Sequence, residues 1–296
     1  MVMVMGEMDS LTLTAGAEMT AEEVAAILKY AGARCIPTTG WGAGSSLEGN
    51  PIPICCGIVL DFSRMNRILA IREEDFQADV EPGVVYQDLN EKLRHTGLFF
   101  PPDPGARATL GGMIANNASG TRTVLYGSTR EYVMRLVVAL ANGELLEMGT
   151  RASKSSSGYN LINLFVGSEG TLGIVVEATM RLVGFPAEYS AAVATFPSVQ
   201  AAAQTVCELK RSGLNPAALE LLGPECIDLM NRVDGLGLVV APTLFLEFHG
   251  ATTSQLSEVL DTARDICTGL GGTDFRPGLG RAERDRIFKA RHAPGE

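Results

Sequence analysis

Thr38-Thr39-Gly40-Trp41-Gly42-Ala43-Gly44-Ser45-Ser46-Leu47-Glu48-Gly49-Asn50-Pro51-Ile52-Pro53 is the stretch on which the reading turns. It leaves a strand expected over Arg34 to Thr38 and runs into consecutive small residues. Main-chain amides in such a loop can form an anion-binding nest, and small side chains let a diphosphate approach closely. A plain turn is the competing reading. The residues that follow narrow the choice. A doubly wound dinucleotide loop should open a helix, but Pro51 and Pro53 block one here. A P-loop needs Gly-Lys-Ser/Thr, which is absent, as are a GxSxG elbow and an HExxH pair.

Three further segments share the character of this loop. Pro101-Pro102-Asp103-Pro104-Gly105 leads to Leu110-Gly111-Gly112-Met113-Ile114-Ala115-Asn116-Asn117-Ala118-Ser119-Gly120, with Tyr126-Gly127 shortly after. Gly167-Ser168-Glu169-Gly170-Thr171-Leu172-Gly173-Ile174-Val175 comes later. Small residues joined to apolar runs suit a wall pressed against a large flat ligand, bound through backbone groups. Close packing between strands and helices is the alternative.

Around these segments the pattern predicts a mixed α+β chain. Thr20 to Ala31 reads as a helix capped by Thr20, with Glu23 three residues on and Val24, Ile27 and Leu28 on one face. Strands are expected at Gly57 to Phe62, Ile68 to Ile71, Gln77 to Val80 and Ile174 to Leu182, and a helix over Val84 to Thr96. Asn142-Gly143 predicts a hairpin between Val133 to Leu140 and Glu144 to Met148. After Gly184-Phe185-Pro186, strands and helices alternate, which suggests a small sheet with helices on one face. The expected division is an atypical segment at 1–19, a first domain at 20–185 and a second at 186–296.

Composition removes several function classes. The chain has 296 residues, 46% hydrophobic and 20% charged, which excludes disorder, and its 33 glycines lack the period of collagen. No apolar run reaches the ~18 residues of a membrane span. A net charge of -10 would repel phosphate backbones, so nucleic acid is not an expected partner. Cys35, Cys55, Cys56, Cys207, Cys226 and Cys267 form no CxxC pair and read as buried, reduced thiols. The first 19 residues hold five methionines and no Lys or Arg, unlike a presequence or a signal peptide.

The order of motifs resembles a known family. GxGxGSSLEG, GIVLDFSRMNRI, EPGV, LNEKLRHTGLFFPPDPG, LGGM, ASGT, YG and VGSEGTLGIV together resemble FAD-dependent oxidoreductases of the vanillyl-alcohol-oxidase (PCMH) type. VAPTLFLEFHG and the final KARH are similar to the subgroup of D-lactate dehydrogenases that pass electrons to cytochrome c. The resemblance implies a two-lobed FAD-binding domain followed by an incomplete ferredoxin-like cap. Gly42, Ala43, Gly44, Ser45 and Ser46 would hold the pyrophosphate. Asp103, Pro104, Gly105, Thr109, Gly111, Gly112, Asn116, Asn117, Ser119 and Gly120 would line the flavin and ribityl chain. Glu169, Gly170, Thr171, Gly173, Ile174 and Val175 would run along the adenosine and flavin. His95, His249 and His292 all lie outside these loops, so FAD should be noncovalent.

The implied reaction is oxidation of a D-2-hydroxy acid such as D-lactate by hydride transfer to flavin, with Arg291 of KARH pairing the substrate carboxylate. The acceptor would be cytochrome c or another carrier. The family pattern continues past KARH into a segment rich in His, Asn and Glu that supplies a divalent-metal site and the base. Those residues are absent here, so catalytic residues and metal ligands are unassigned, and weakened flavin binding and low turnover are expected. A non-catalytic flavin-binding module and a fragment are the alternatives. Gly40, Arg107 and Asn116-Asn117 depart from the family pattern, as does the N-terminal segment in place of an opening strand. The resemblance implies a mitochondrial location, without a recognisable presequence; otherwise the location would be cytoplasmic. His95 is expected in a helix and His249 in a hydrogen-bonded pair with Glu247.

Overall fold

The computed structural model describes residues 2–4, 10–14, 19–235 and 237–292, without the side chains of 2–4, 10–14, 234, 286, 287 and 289–292. The chain forms two units, Met1–Ser119 with Ser128–Gly184, and Gly120–Gly127 with Phe185–Glu296.

In the first unit, β1 (Val2–Val4), β2 (Ser10–Thr14), β3 (Thr38–Trp41) and β4 (Gly57–Asp61) form a sheet of order β1-β2-β4-β3. β2 and β3 flank β4 in parallel. The expectation of an N-terminal segment in place of an opening strand is therefore corrected: Leu11 and Leu13 pair with Ile58 and Leu60 in a regular ladder. Helix α1 (Ala21–Gly32) starts at the expected cap. Thr20 N–H donates to Glu23 Oε2 at 2.8 Å and Glu23 N–H to Thr20 Oγ1 at 3.3 Å. Its buried face of Val24, Ala25, Leu28 and Ala31 packs on Ile58, Leu60 and Val176. The strand expected from Arg34 begins only at Thr38. Cys35 sits in the left-handed region (φ 52°), and Cys35 and Ile36 donate back to the end of the helix, to Gly32 and Ala31.

A second sheet is antiparallel throughout. It is built from β5 (Ile68–Arg72), β6 (Gln77–Val80), and, after α2 (Tyr86–Leu93), β7 (Leu98–Phe99) and α3 (Leu110–Asn116), from β8 (Val133–Ala139), β9 (Leu145–Gly149) and, after α5 below, β10 (Ile174–Arg181). Helix α4 (Thr123–Tyr126) belongs to the second unit, whereas α5 (Ile162–Phe165) precedes β10 in the first. The order is β5-β6-β10-β8-β9, and β11 (Val183–Gly184) pairs with β7. Asn142-Gly143 does form the hairpin turn, joining β8 to β9. Helix α2 is shorter than expected because Val85 is extended and bridges Thr109. At its other end α2 stops at Leu93 with Arg94 as C-cap, so His95 lies beyond the helix, where its Nε2 accepts from Arg94 Nε at 2.8 Å.

The second unit contains β12 (Glu188–Thr195), α6 (Val199–Arg211), β13 (Ala218–Leu222), α7 (Pro224–Asp234), β14 (Thr243–Gly250), α8 (Thr253–Gly269), β15 (Thr273–Leu279) and α9 (Arg281–His292). All pairs in the order β13-β14-β12-β15 are antiparallel, which gives the ferredoxin-like arrangement. Helices cover both faces, not one. Ala192, Ala194, Leu244, Leu246 and Phe248 pack with buried residues of α6 and α8. Ala191, Val193 and Phe245 meet Ile227 and Met230 of α7 and Phe288 of α9. The central strands β12 and β14 therefore bury successive side chains on opposite faces, and a fully buried Phe or Leu contributes roughly 1.5–3 kcal/mol. The cysteines also differ from expectation: only Cys267 is buried, in the core under α8, and the other five thiols are exposed.

Candidate functional site

The loop after β3 leaves its backbone available. Ala43, Gly44 and Ser45 are exposed, and among the described residues no hydrogen bond engages the amides of Ala43, Gly44, Ser45 and Ser46. Gly44 has φ +67°, and a Cβ on it would lie 2.7 Å from the Trp41 indole. A run of unengaged amides on small residues is the arrangement an anion needs. Gly42 closes the loop against α3: its Cβ would fall 2.3 Å from Thr109 Oγ1. Thr109 is the N-cap of α3 and accepts from Gly112 N–H at 3.4 Å. Gly111 lies against Pro82, donating to its carbonyl at 2.8 Å, and a Cβ there would meet the Pro82 Cβ at 2.6 Å.

The later glycine-rich segment meets α3 at its other end. Gly167 N–H donates to Ile114 O at 3.0 Å and Glu169 N–H to Ala115 O at 2.9 Å. Glu169 itself takes φ +53°, followed by Gly170 at +78°. Gly173 has φ +158° and its Cβ would lie 2.6 Å from Val138, while Ile174 comes within 3.3 Å of a Cβ on Gly40. Thr171 donates to Ser168 O at 2.6 Å, and Val175 pairs with Val138 in the sheet. Asn117 ends α3 in the left-handed region, and its Oδ1 accepts from Ser128 Oγ at 2.9 Å and Arg130 N–H at 3.0 Å.

Residues 40–46, 109–117 and 167–175 are thus brought together. Asp103, Pro104 and Gly105 form a separate turn tied to α2, where Asp103 Oδ1 accepts from Tyr86 Oη at 2.5 Å and Gly105 N–H at 3.1 Å. Ser119 and Asn116 are exposed. Gly120 falls in the second unit, where its N–H donates to Thr123 Oγ1 at 3.0 Å. The Arg291 side chain lies outside the described residues, as does that of His292. Two features escaped the sequence reading. A cleft of about 210 Å³ behind the loop is lined by Gly42, Ala43 and Thr109 and also by Gly83, Val84 and Asp88. The Pro82-Gly83 pair was the available signal for its far wall. Asn50 also bridges the first and last segments: Ser46 Oγ donates to Asn50 Oδ1 at 2.5 Å, and Asn50 Nδ2 to Glu169 Oε2 at 2.7 Å.

The second unit holds a buried polar cluster on β14. His249 Nε2 lies 2.5 Å from Glu247 Oε1, the hydrogen-bonded pair expected from the sequence, and Tyr126 Oη lies 2.7 Å from His249 Nδ1. Arg122 Nε is 3.4 Å and Arg284 Nε 4.0 Å from the same carboxylate, and the Tyr189 ring meets the imidazole edge-on at 4.7 Å. Burial by itself would raise the Glu247 carboxyl, but the His249 hydrogen bond and both guanidinium groups hold it below the usual carboxylate range. Burial pushes the His249 imidazole below its ordinary value, against the upward pull of Glu247. A histidine whose folded pKa lies below the unfolded one, about 6.5, favours the fold when neutral. Its contribution is complete above about pH 6.5 and is lost as pH falls toward the folded pKa. The melting temperature should therefore drop on acidification from pH 7 to pH 5, and His249→Gln should flatten that step. An equal slope in the variant, measured by calorimetry across this range, would rule the assignment out.

Two family models match the chain. A family described as "FAD binding domain" matches residues 19–149, and one described as "FAD linked oxidases, C-terminal domain" matches residues 185–295. A "Probable D-lactate dehydrogenase, mitochondrial" of Danio rerio is 43% identical over 274 residues, 92% of this chain and 55% of the relative. A "D-lactate dehydrogenase [cytochrome], mitochondrial" of Arabidopsis thaliana is 40% identical over 254 residues, 86% of this chain and 45% of the relative. The chain thus spans about half the length of these curated relatives. The solved 4-ethylphenol oxidase from Gulosibacter chungangensis superposes with a TM-score of 0.80 at 22% identity, over 98% of this chain and 62% of that one, a likeness of fold. Among the described residues, no helix is long and apolar enough to cross a membrane.

Proposed function

Because this chain belongs to the FAD-linked oxidases, we propose that it binds FAD noncovalently and serves the oxidation of a D-2-hydroxy acid such as D-lactate to the 2-oxo acid. The observation that carries the cofactor reading is the convergence of three small-residue segments around four unengaged amides. Those amides would receive the diphosphate, and the glycine and alanine surfaces beside them would let a flat ring system lie on the backbone. The three histidines His95, His249 and His292 stand outside these segments, so the residues fit a noncovalently held group. Bound there, the flavin would supply the hydride acceptor.

The chain's own part is to bind and orient. Thr109 and Gly111 set α3 against the Pro82 turn, and Asn117 fixes the end of α3. Arg291 is proposed as the partner of the substrate carboxylate, by its place in KARH. The divalent metal of the family is not placed on these residues: among the described ones no group of three His, Cys, Asp or Glu is arranged to hold it. The names of the relatives support cytochrome as electron acceptor and the mitochondrion as location.

Purified protein should carry or take up FAD that is released intact by acid, and anaerobic D-lactate, but not L-lactate, should bleach the visible flavin band slowly, in keeping with the low turnover expected from the sequence. Colourless folded protein that takes up no added FAD would overturn the cofactor reading. Bound FAD that D-lactate leaves oxidised would overturn the dehydrogenase reading for this chain and favour a flavin-binding module.

A further inference from the structure

Asn50 is absent from the set of cofactor residues above, yet it is the point at which two of the proposed cofactor segments are joined by side chains. Its carbonyl oxygen accepts from the Ser46 hydroxyl at 2.5 Å, and its amide nitrogen donates to Glu169 Oε2 at 2.7 Å. Asn50 and Glu169 lie 119 residues apart in sequence. A primary amide can accept through its oxygen from one neighbour and donate through its nitrogen to a carboxylate, which is what Asn50 does here. Asn50 is half-buried while Glu169 is exposed and in the left-handed region, so the carboxylate has few other restraints. The chain leaves the nest at Ser46 and returns to it through this one side chain. Gly49 has φ +74°, and Ile52 N–H donates to its carbonyl at 3.0 Å, which turns Asn50 back toward the loop.

We propose that Asn50 is a positioning residue for dinucleotide binding, which latches the amide nest to the 167–175 segment and fixes where the negative charge of Glu169 sits beside it. The inference rests on the cofactor reading above. Its physical content is electrostatic as well as geometric. A loose carboxylate near a diphosphate opposes it, and more strongly at the effective dielectric of a protein surface than in water. A latched carboxylate stays where the nest was built to tolerate it. The latch thereby favours ligands that carry a diphosphate, and has little effect on the flavin ring alone.

The test measures dissociation constants of FAD, ADP and riboflavin for the full chain and for Asn50→Ala, Asn50→Asp and Asn50→Gln. FAD and ADP should weaken about tenfold in Asn50→Ala and further in Asn50→Asp, which adds a second anion and cannot donate to Glu169. Riboflavin should change less than threefold, and Asn50→Gln should recover part of the loss. A merely structural role would weaken all three ligands alike and make Asn50→Asp no worse than Asn50→Ala; either result overturns the proposal. Amide hydrogen exchange without ligand gives an independent reading. Asn50→Ala should speed exchange in both 43–46 and 167–170, and unchanged exchange in both also overturns the latch. If the native chain takes up neither FAD nor ADP, the cofactor reading falls whatever the exchange shows, so the two failures are distinct.

Discussion

Gly42→Ala should lower FAD affinity by about a hundredfold while costing only about 1–2 kcal/mol of stability. The added methyl would sit 2.3 Å from Thr109 Oγ1, a contact that cannot persist. Thr109 is 5% exposed and caps α3, so its hydroxyl has no open direction in which to retreat. Rotating it away forfeits the cap, worth about 1 kcal/mol. Shifting the helix instead moves Gly111 and Gly112 away from the loop. The loss of affinity should therefore exceed the loss of stability, because the nest and α3 must hold one spacing for a rigid ligand. Thr109→Ala in the Gly42→Ala background leaves only an ordinary 3.5 Å contact to the Thr109 Cβ, and should recover much of the affinity. Flavin titration and thermal melts of the single and double variants check this; a double variant no better than Gly42→Ala would rule out the steric cause.

Glu247→Ala should be the most damaging change in the second unit, at about 3 kcal/mol. Glu247 is 2% exposed and stands between Arg122, Arg284 and the His249 ring. Removing it strands the Arg122 guanidinium, whose side chain is 19% exposed, while Arg284 keeps Asp285 at 3.0 Å; removing one member of a buried pair costs about 3–5 kcal/mol. The lower end applies because Arg284 keeps its Asp285 partner and Arg122 retains some water. For a domain of this size the melting temperature should fall by roughly 10 °C. Glu247→Gln should cost less, since an amide oxygen can still accept from His249. Scanning calorimetry resolves the outcome, and a shift under about 3 °C for the alanine variant would show that the cluster is a solvated one.

Much of this architecture was legible in local signals. Thr20 with Glu23 marked the start of α1, and Asn142-Gly143 marked the β8–β9 hairpin. Signals failed where the cause was distant or where residue type misled. Helix α3 hid behind Gly111, Gly112 and a pair of asparagines, all poor helix formers. Its buried residues Leu110, Met113 and Ile114 nevertheless have helical spacing, and Thr109 is a sound cap. β15 carries Pro277 and Gly278, which argue against a strand in any local window. In β12 the unbroken apolar run Ala191 to Ala194 was the available sign that both faces are covered, and the one-face reading passed over it. The loop proposed to hold the diphosphate was legible as a run of small residues. The Asn50 bridge to Glu169 was not, because nothing within a window of sequence connects them.

The sheet of the second unit also has borders, and a strand at a border normally invites another chain to pair with it. β15 lies on one border, where Pro277 has no N–H to offer and Asp274 and Arg276 pair with each other. β13 lies on the other, and helix α4 packs beside it. Strand addition is thus discouraged chemically at one rim and by a neighbouring helix at the other, so self-association through this sheet would first require one of those guards to be displaced.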